Sequence, residues 1–135
     1  MKKTVLLFIL IVGSVCAFGQ TQSKMNSDAG DSLQKADDEL NEVYKKILTD
    51  YKSDTVFIKN LKVSQRLWIQ FRDAEMNMKY PERQAGYYGS VYPMCWSMYK
   101  EQLTRDRIKT LKQWLSGADE GDVCNGSTNG PPLSQ

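Results

Sequence analysis

From residue 32 the chain repeats an apolar position every three or four residues: Leu33, Ala36, Leu40, Val43, Tyr44, Ile47, Leu48 and Tyr51, with Asp, Glu and Lys between them. That spacing is the period of an amphipathic α-helix. "KSDT" (52–55) breaks the pattern, and Ser53 or Asp54 stands where the next helix needs an N-cap. A second helix is predicted over 55–79, with Phe57, Leu61, Ser64, Trp68, Phe71, Glu75 and Met78 along one stripe. "YPERQAGYYGSVYP" (80–93) then interrupts with two prolines and two glycines. A third helix is predicted over 94–115, with Trp96, Leu103, Arg107, Leu111, Trp114 and Leu115 on its apolar side and Gly117 ending it.

The segments outside these helices are polar. Residues 20–31 read as a flexible lead-in, and the tail 117–135 has too few apolar residues to bury and should be disordered. The expected fold is therefore all-α, a single domain over 32–116 with three long amphipathic helices. The short break at 52–55 makes the first two an antiparallel hairpin, on which the third packs. No strand pattern or internal repeat is present.

The first residues, "MKKTVLLFILIVGSVCAFGQ", follow the three-part plan of a secretory signal peptide over 1–19: two lysines, a short apolar run, then small residues. Ala17 and Gly19 place cleavage after Gly19. A lipid-anchored alternative would use Cys16, but Val15 is bulkier than the residue such processing favours. The chain carries 18 Lys and Arg against 16 Asp and Glu. Lys2 and Lys3 leave with the signal, so the mature chain balances. No net basic charge is left to attract nucleic acid, or a membrane once the signal is gone.

Polar residues interrupt the apolar seams. With the hairpin turn centred between residues 53 and 54, positions summing to about 107 lie level at about 1.5 Å per residue. Asp37 then reaches Arg72, and Asn41 reaches Gln65. Arg107 falls on the apolar side of the third helix, level with Ser64 and Gln65, while Glu75 lies roughly 13 Å further along the axis. Asp37, Asn41, Gln65, Arg72 and Arg107 are thus expected to form a structural polar layer that fixes helix register.

Catalytic chemistry is not indicated. The chain has no histidine, no metal-ligand spacing, no phosphate loop and no nucleophile–base pair, so neither an enzyme nor a cofactor is expected. The feature left for binding is "AGYYGSVYP" (85–93), tyrosines with glycine and serine between two rigid helices. Tyr87, Tyr88, Ser90 and Tyr92 have the chemistry of a protein-recognition loop. The alternative is that two of these tyrosines cover the open end of the helical bundle. Asp37, Asp38, Glu39 and Glu42 form the one local acidic run suited to a cationic partner.

"ADDELNEVY" (36–44), "QRLWIQFRDAE" (65–75) and "LTRDRIKTL" (103–111) together resemble the lysozyme inhibitor LprI-like family of small secreted or lipid-anchored bacterial helical domains. The matching positions are Asp37, Leu40, Asn41 and Tyr44, then Gln65, Trp68, Arg72, Asp73 and Ala74, then Leu103, Thr104, Arg107 and Leu111. The resemblance implies a helical fold, a periplasmic or secreted location and, for the family's namesake, inhibition of lysozyme; the tyrosine loop is suggested as the contact only by analogy with lysozyme inhibitors of other folds. An exported helical adaptor for an unknown protein partner is the alternative. The family typically carries paired cysteines. Cys95 matches one position, whereas Met76 stands where its partner is expected and Asp28 near a third. A Cys95–Cys124 disulfide would need a fully stretched tail, because a helix over 95–116 spans roughly 30 Å. Two unpaired or intermolecularly paired thiols are the other possibility.

Overall fold

The computed structural model describes the backbone of residues 2–119 and 121–129 and the side chains of 21–119 and 121–128. It contains α1 (Lys2–Asp50), α2 (Thr55–Lys79), α3 (Tyr92–Ser116) and one 3-10 turn (Gly126–Asn129), with no strand among the described residues. The predicted signal peptide, its cleavage after Gly19 and the lipid-anchor alternative at Cys16 fall on residues 1–19, whose side chains lie outside the described residues.

Local chemistry sets the helix ends. Asp54 caps α2 by accepting from the Phe57 N–H at 2.9 Å, which satisfies one of the donors a helix start leaves open. Pro93 sits in the first turn of α3, where its missing N–H costs nothing. At the other end Gly117 has φ 80°, a left-handed conformation that only glycine adopts freely.

The helices run up, down and up. Tyr51 donates to the Trp114 carbonyl, and Asn26 donates to the Ser90 carbonyl, so α1 and α3 run parallel, with α2 antiparallel to both. The closest backbone packing is between α1 and α3, and side-chain size explains it. α1 buries Ala29, Ala36, Leu40, Val43 and Ile47, while α3 buries Ser97, Thr104, Ile108 and Leu111. The first four of α1 have the same spacing as the four of α3, and each run begins with two small residues. α2 turns larger groups inward (Phe57, Leu61, Gln65, Trp68, Arg72, Met76) and so stands further off. Leu40, Val43, Ile47, Tyr51, Leu61, Ile108 and Leu111 form the core, flanked by Phe57, Ile58, Trp68 and Trp114.

Two expectations are corrected. The inward face of α2 is rotated roughly 60° from the predicted stripe, at 100° per residue. Phe71 is 54% exposed and Met78 69%, and with Val56, Val63 and Leu67 they lie on the solvent side. Gln65 and Met76 take the buried places. The polar groups can enter because other helices bond them. Residues 21–31 are helical rather than a flexible lead-in: α1 continues through them, Ala29 is buried and Asn26 reaches the loop after α2.

Within the tail, the 3-10 turn is held against the bundle. Trp114 Nε1 donates to Ser127 Oγ at 3.0 Å, and the Tyr51 hydroxyl shares its one proton between the Trp114 carbonyl at 3.1 Å and the Ser127 carbonyl at 3.3 Å. These bonds supply what composition alone does not, an anchor for a segment poor in apolar residues.

Candidate protein-binding site

The segment between α2 and α3 is a chain of tight turns. Gly86 and Gly89 have φ of 82° and 73°, and successive turn bonds run from Tyr87 N to Gln84 O, Gly89 N to Gly86 O, and Tyr92 N to Gly89 O. The left-handed glycines let the chain reverse twice within a few residues.

Tyrosines brace those turns. Tyr88 stacks on Tyr92 with ring centroids 5.0 Å apart, and both meet Tyr80 edge-on at 5.7 and 5.5 Å. The Tyr88 hydroxyl donates to the Pro81 carbonyl at 2.7 Å, closing the loop on itself. Below them Tyr99 meets Tyr80 edge-on and donates to Glu75 Oε2 at 3.2 Å, with Lys79 Nζ 3.6 Å above its ring. Burial raises the pKa of Tyr80, and the nearby Cys95, Tyr92, Tyr99 and Tyr88 add to the rise. Tyr99 is also raised, first by desolvation and then by its bond to Glu75. Tyr80 and Tyr99 therefore keep their protons at ordinary pH.

Tyr87 is the member left facing outward. The residue is 67% exposed, and its ring stands edge-on to Tyr88 at 4.9 Å with the Arg83 guanidinium 5.9 Å from its centroid. Ser90 is exposed beside it, and its carbonyl accepts from Asn26 of α1. A hollow of about 220 Å³ lies under the loop, lined by Tyr80, Tyr87, Tyr88 and Tyr92 among others. The four loop residues thus divide: Tyr88 and Tyr92 brace, while Tyr87 and Ser90 present. Tyr80 and Tyr99, absent from the predicted site, complete the brace. The seven-residue spacing of Tyr92 and Tyr99, which puts both on one helix face, was the available signal.

The polar residues occupy two levels. Arg72 Nη1 donates to Asp37 Oδ1 at 2.8 Å and to Thr104 Oγ1 at 3.0 Å, and its guanidinium lies 5.0 Å from the Trp68 ring centroid. Arg107 donates from Nε to Gln65 Oε1 and from Nη2 to Ser64 Oγ, each at 3.0 Å. Asn41 does not join them, and the expected Asn41–Gln65 bond is corrected. Asn41 is exposed because Leu40 and Val43 take the inward positions of α1, and Gln65 accepts from Arg107 instead.

Other candidates are occupied or separated. Glu39 accepts from Lys112 at 2.7 Å and Arg105 at 3.3 Å, and the bond from Lys112 leads the causes that hold its pKa low. Asp37 is taken by Arg72, so part of the acidic run is neutralised within the molecule. Cys95 and Cys124 are free thiols, one at the start of α3 and one beyond its end. No carboxylate, cysteine or histidine cluster able to hold a metal occurs among the described residues, and no helix searched there is long and apolar enough to cross a membrane.

The chain is 28% identical to an uncharacterized protein of Rhizobium meliloti (strain 1021) over 115 residues, which covers 77% of this chain and 81% of that protein. No solved structure matches. The family model described as lysozyme inhibitor LprI matches residues 16–111, a span that takes in the Arg72 and Arg107 levels and the tyrosine loop. The helical bundle described above is thus the body of a protein that belongs to the LprI lysozyme inhibitor family.

Proposed function

We propose that the protein is exported and inhibits lysozyme, protecting the cell wall, and that its contact surface is the tyrosine loop centred on Tyr87. The family match over 16–111 carries the inhibitor reading, and the signal-like first nineteen residues support export. The loop is favoured as the contact because its braced turns have little conformational entropy left to lose on binding. Tyrosine is among the side chains enriched at the energetic centres of protein interfaces. Balanced mature charge and the internal pairing of Glu39 and Asp37 leave little field to steer a cationic partner, so association should depend only weakly on salt.

A turbidity assay of cell-wall lysis by lysozyme tests the reading. Purified protein should slow lysis in a saturable manner, and no slowing at a large molar excess would overturn the inhibitor assignment. Tyr87→Ala should weaken inhibition by about tenfold or more, as loss of an interface anchor does, with an unchanged melting temperature. Inhibition by Tyr87→Ala as strong as that of the parent would keep the inhibitor and remove the loop.

A further inference from the structure

A groove of about 460 Å³ opens at the other end of the bundle, between α2, α3 and the 3-10 turn. Its apolar lining comes from Val56, Phe57, Leu61, Leu111 and Trp114; its polar lining from Asp54, Asn60, Ser64, Arg107 and Ser127. The volume suits a ligand of about dipeptide size, and a mostly apolar hollow with a few converging polar groups is the usual form of a binding site.

Arg107 gives the groove its chemistry. Arg72 and Arg105 each hold a carboxylate, whereas no ion pair to Arg107 occurs among the described residues. Arg66 and Arg83 also lack an ion pair there, but both stand in solvent. Arg107 is half-buried, and its bonds run to two neutral acceptors, Gln65 Oε1 and Ser64 Oγ. A guanidinium offers five N–H donors, so about three remain for a ligand. Burial lowers its pKa with no carboxylate to offset the cost. The two bonds fix the fork, and an incoming carboxylate would meet a prepared partner.

The far end of the groove has the opposite character. The Asp54 carboxylate there caps Phe57 and would repel a second anion, while it welcomes an N–H. Phe57 and Trp114, with ring centroids 6.1 Å apart, stand between the two ends. We propose that this groove binds the C-terminal end of a peptide: its α-carboxylate on Arg107, its last apolar or aromatic side chain against Phe57 and Trp114, and a backbone N–H toward Asp54. The site is distinct from the tyrosine loop and does not rest on the inhibitor reading.

Titration calorimetry of the full chain, with tryptophan fluorescence as second readout, tests this with three probes: acetyl-Leu-Phe bearing a free carboxylate, the same peptide as its C-terminal amide, and 3-phenylpropionate. The free acid should bind saturably and the amide at least tenfold more weakly. Arg107→Gln should reduce binding of the acid to the level of the amide. Equal binding of acid and amide, unchanged binding by Arg107→Gln, or no binding of the acid at 10 mM would each overturn the proposal. Phenylpropionate binding as tightly as the peptide would overturn the peptide assignment in favour of a free apolar acid. Should Arg107→Gln fail to fold, Val56→Trp decides: Val56 is exposed at the groove, so the larger ring should block the acid while the helical signal persists, and unimpaired binding would place the ligand elsewhere.

Discussion

Arg72 of α2 and Asp37 of α1 meet at 2.8 Å, and the same Arg72 Nη1 reaches Thr104 of α3 at 3.0 Å, so one guanidinium joins all three helices. Trp68, one turn earlier, has its ring centroid 5.0 Å from Arg72 and 5.9 Å from Arg107. Arg72 is only 12% exposed, and its Nε has no hydrogen-bond partner among the described residues. Such an arrangement is expected to fix register more than to add net stability.

Removing that guanidinium should be costly because it strands its partners. Arg72→Met is expected to destabilise by about 2 kcal/mol, leaving Asp37 and the buried Thr104 hydroxyl without their donor. Asp37→Asn alone should cost less, since Asp37 is 34% exposed and water can replace the lost contact. Urea unfolding of the two single variants and the double variant measures the coupling. Strictly additive effects would show that the pair does not act as a unit.

The rotation of α2 leaves Phe71 on the solvent side, whereas Leu111 of α3 is a true core residue. Phe71→Ala, on the solvent face, should change stability by no more than about 0.5 kcal/mol. Leu111→Ala, in a core position that is 1% exposed, should cost about 3 kcal/mol. Thermal melts of both variants check the orientation of α2. A Phe71→Ala loss as large as that of Leu111→Ala would place Phe71 inside.

Alkaline titration should divide the seven tyrosines. Burial holds Tyr80 above the ordinary value of 10.0, and Tyr99 is raised by desolvation and its bond to Glu75. A raised folded value means that the unfolded chain gives up these protons first. Their stabilising effect is therefore complete below about pH 10 and lost as pH rises through the folded values. Tyrosinate absorbance should show a late fraction in the folded protein that merges with the rest in denaturant, and urea midpoints should fall over the same alkaline range. A single titration identical in both states would contradict the braced cluster.

The thiols should react at different rates. Cys124 is exposed and Cys95 half-buried beneath the tyrosine cluster. A maleimide followed by mass spectrometry should label Cys124 first, with the two rates converging in urea. Equal rates in the folded protein would contradict the packing around Cys95.

Much of this molecule is written in its periodicity. The helices over 55–79 and near 94–115, the cap at Asp54 and the stop at Gly117 follow from local rules, because a helix needs only its own spacing, a first-turn acceptor and a residue free to turn left-handed. The level of Arg72 against Asp37 likewise follows from a short turn and a constant rise per residue. Rotation about the helix axis is another matter. Apolar counting favoured the face with Phe71 and Met78, while the fold turned Gln65 and Met76 inward. Burial of a polar side chain is decided by partners on other helices, here Arg107 for Gln65 and Asp37 with Thr104 for Arg72. The same holds at both ends of the bundle, where Tyr80 and Tyr99 brace the loop and Ser127 anchors a polar tail on Tyr51 and Trp114. Period is a property of a segment and can be read from it. Orientation and docking depend on bonds between residues far apart in sequence, which exist only once the three helices have met.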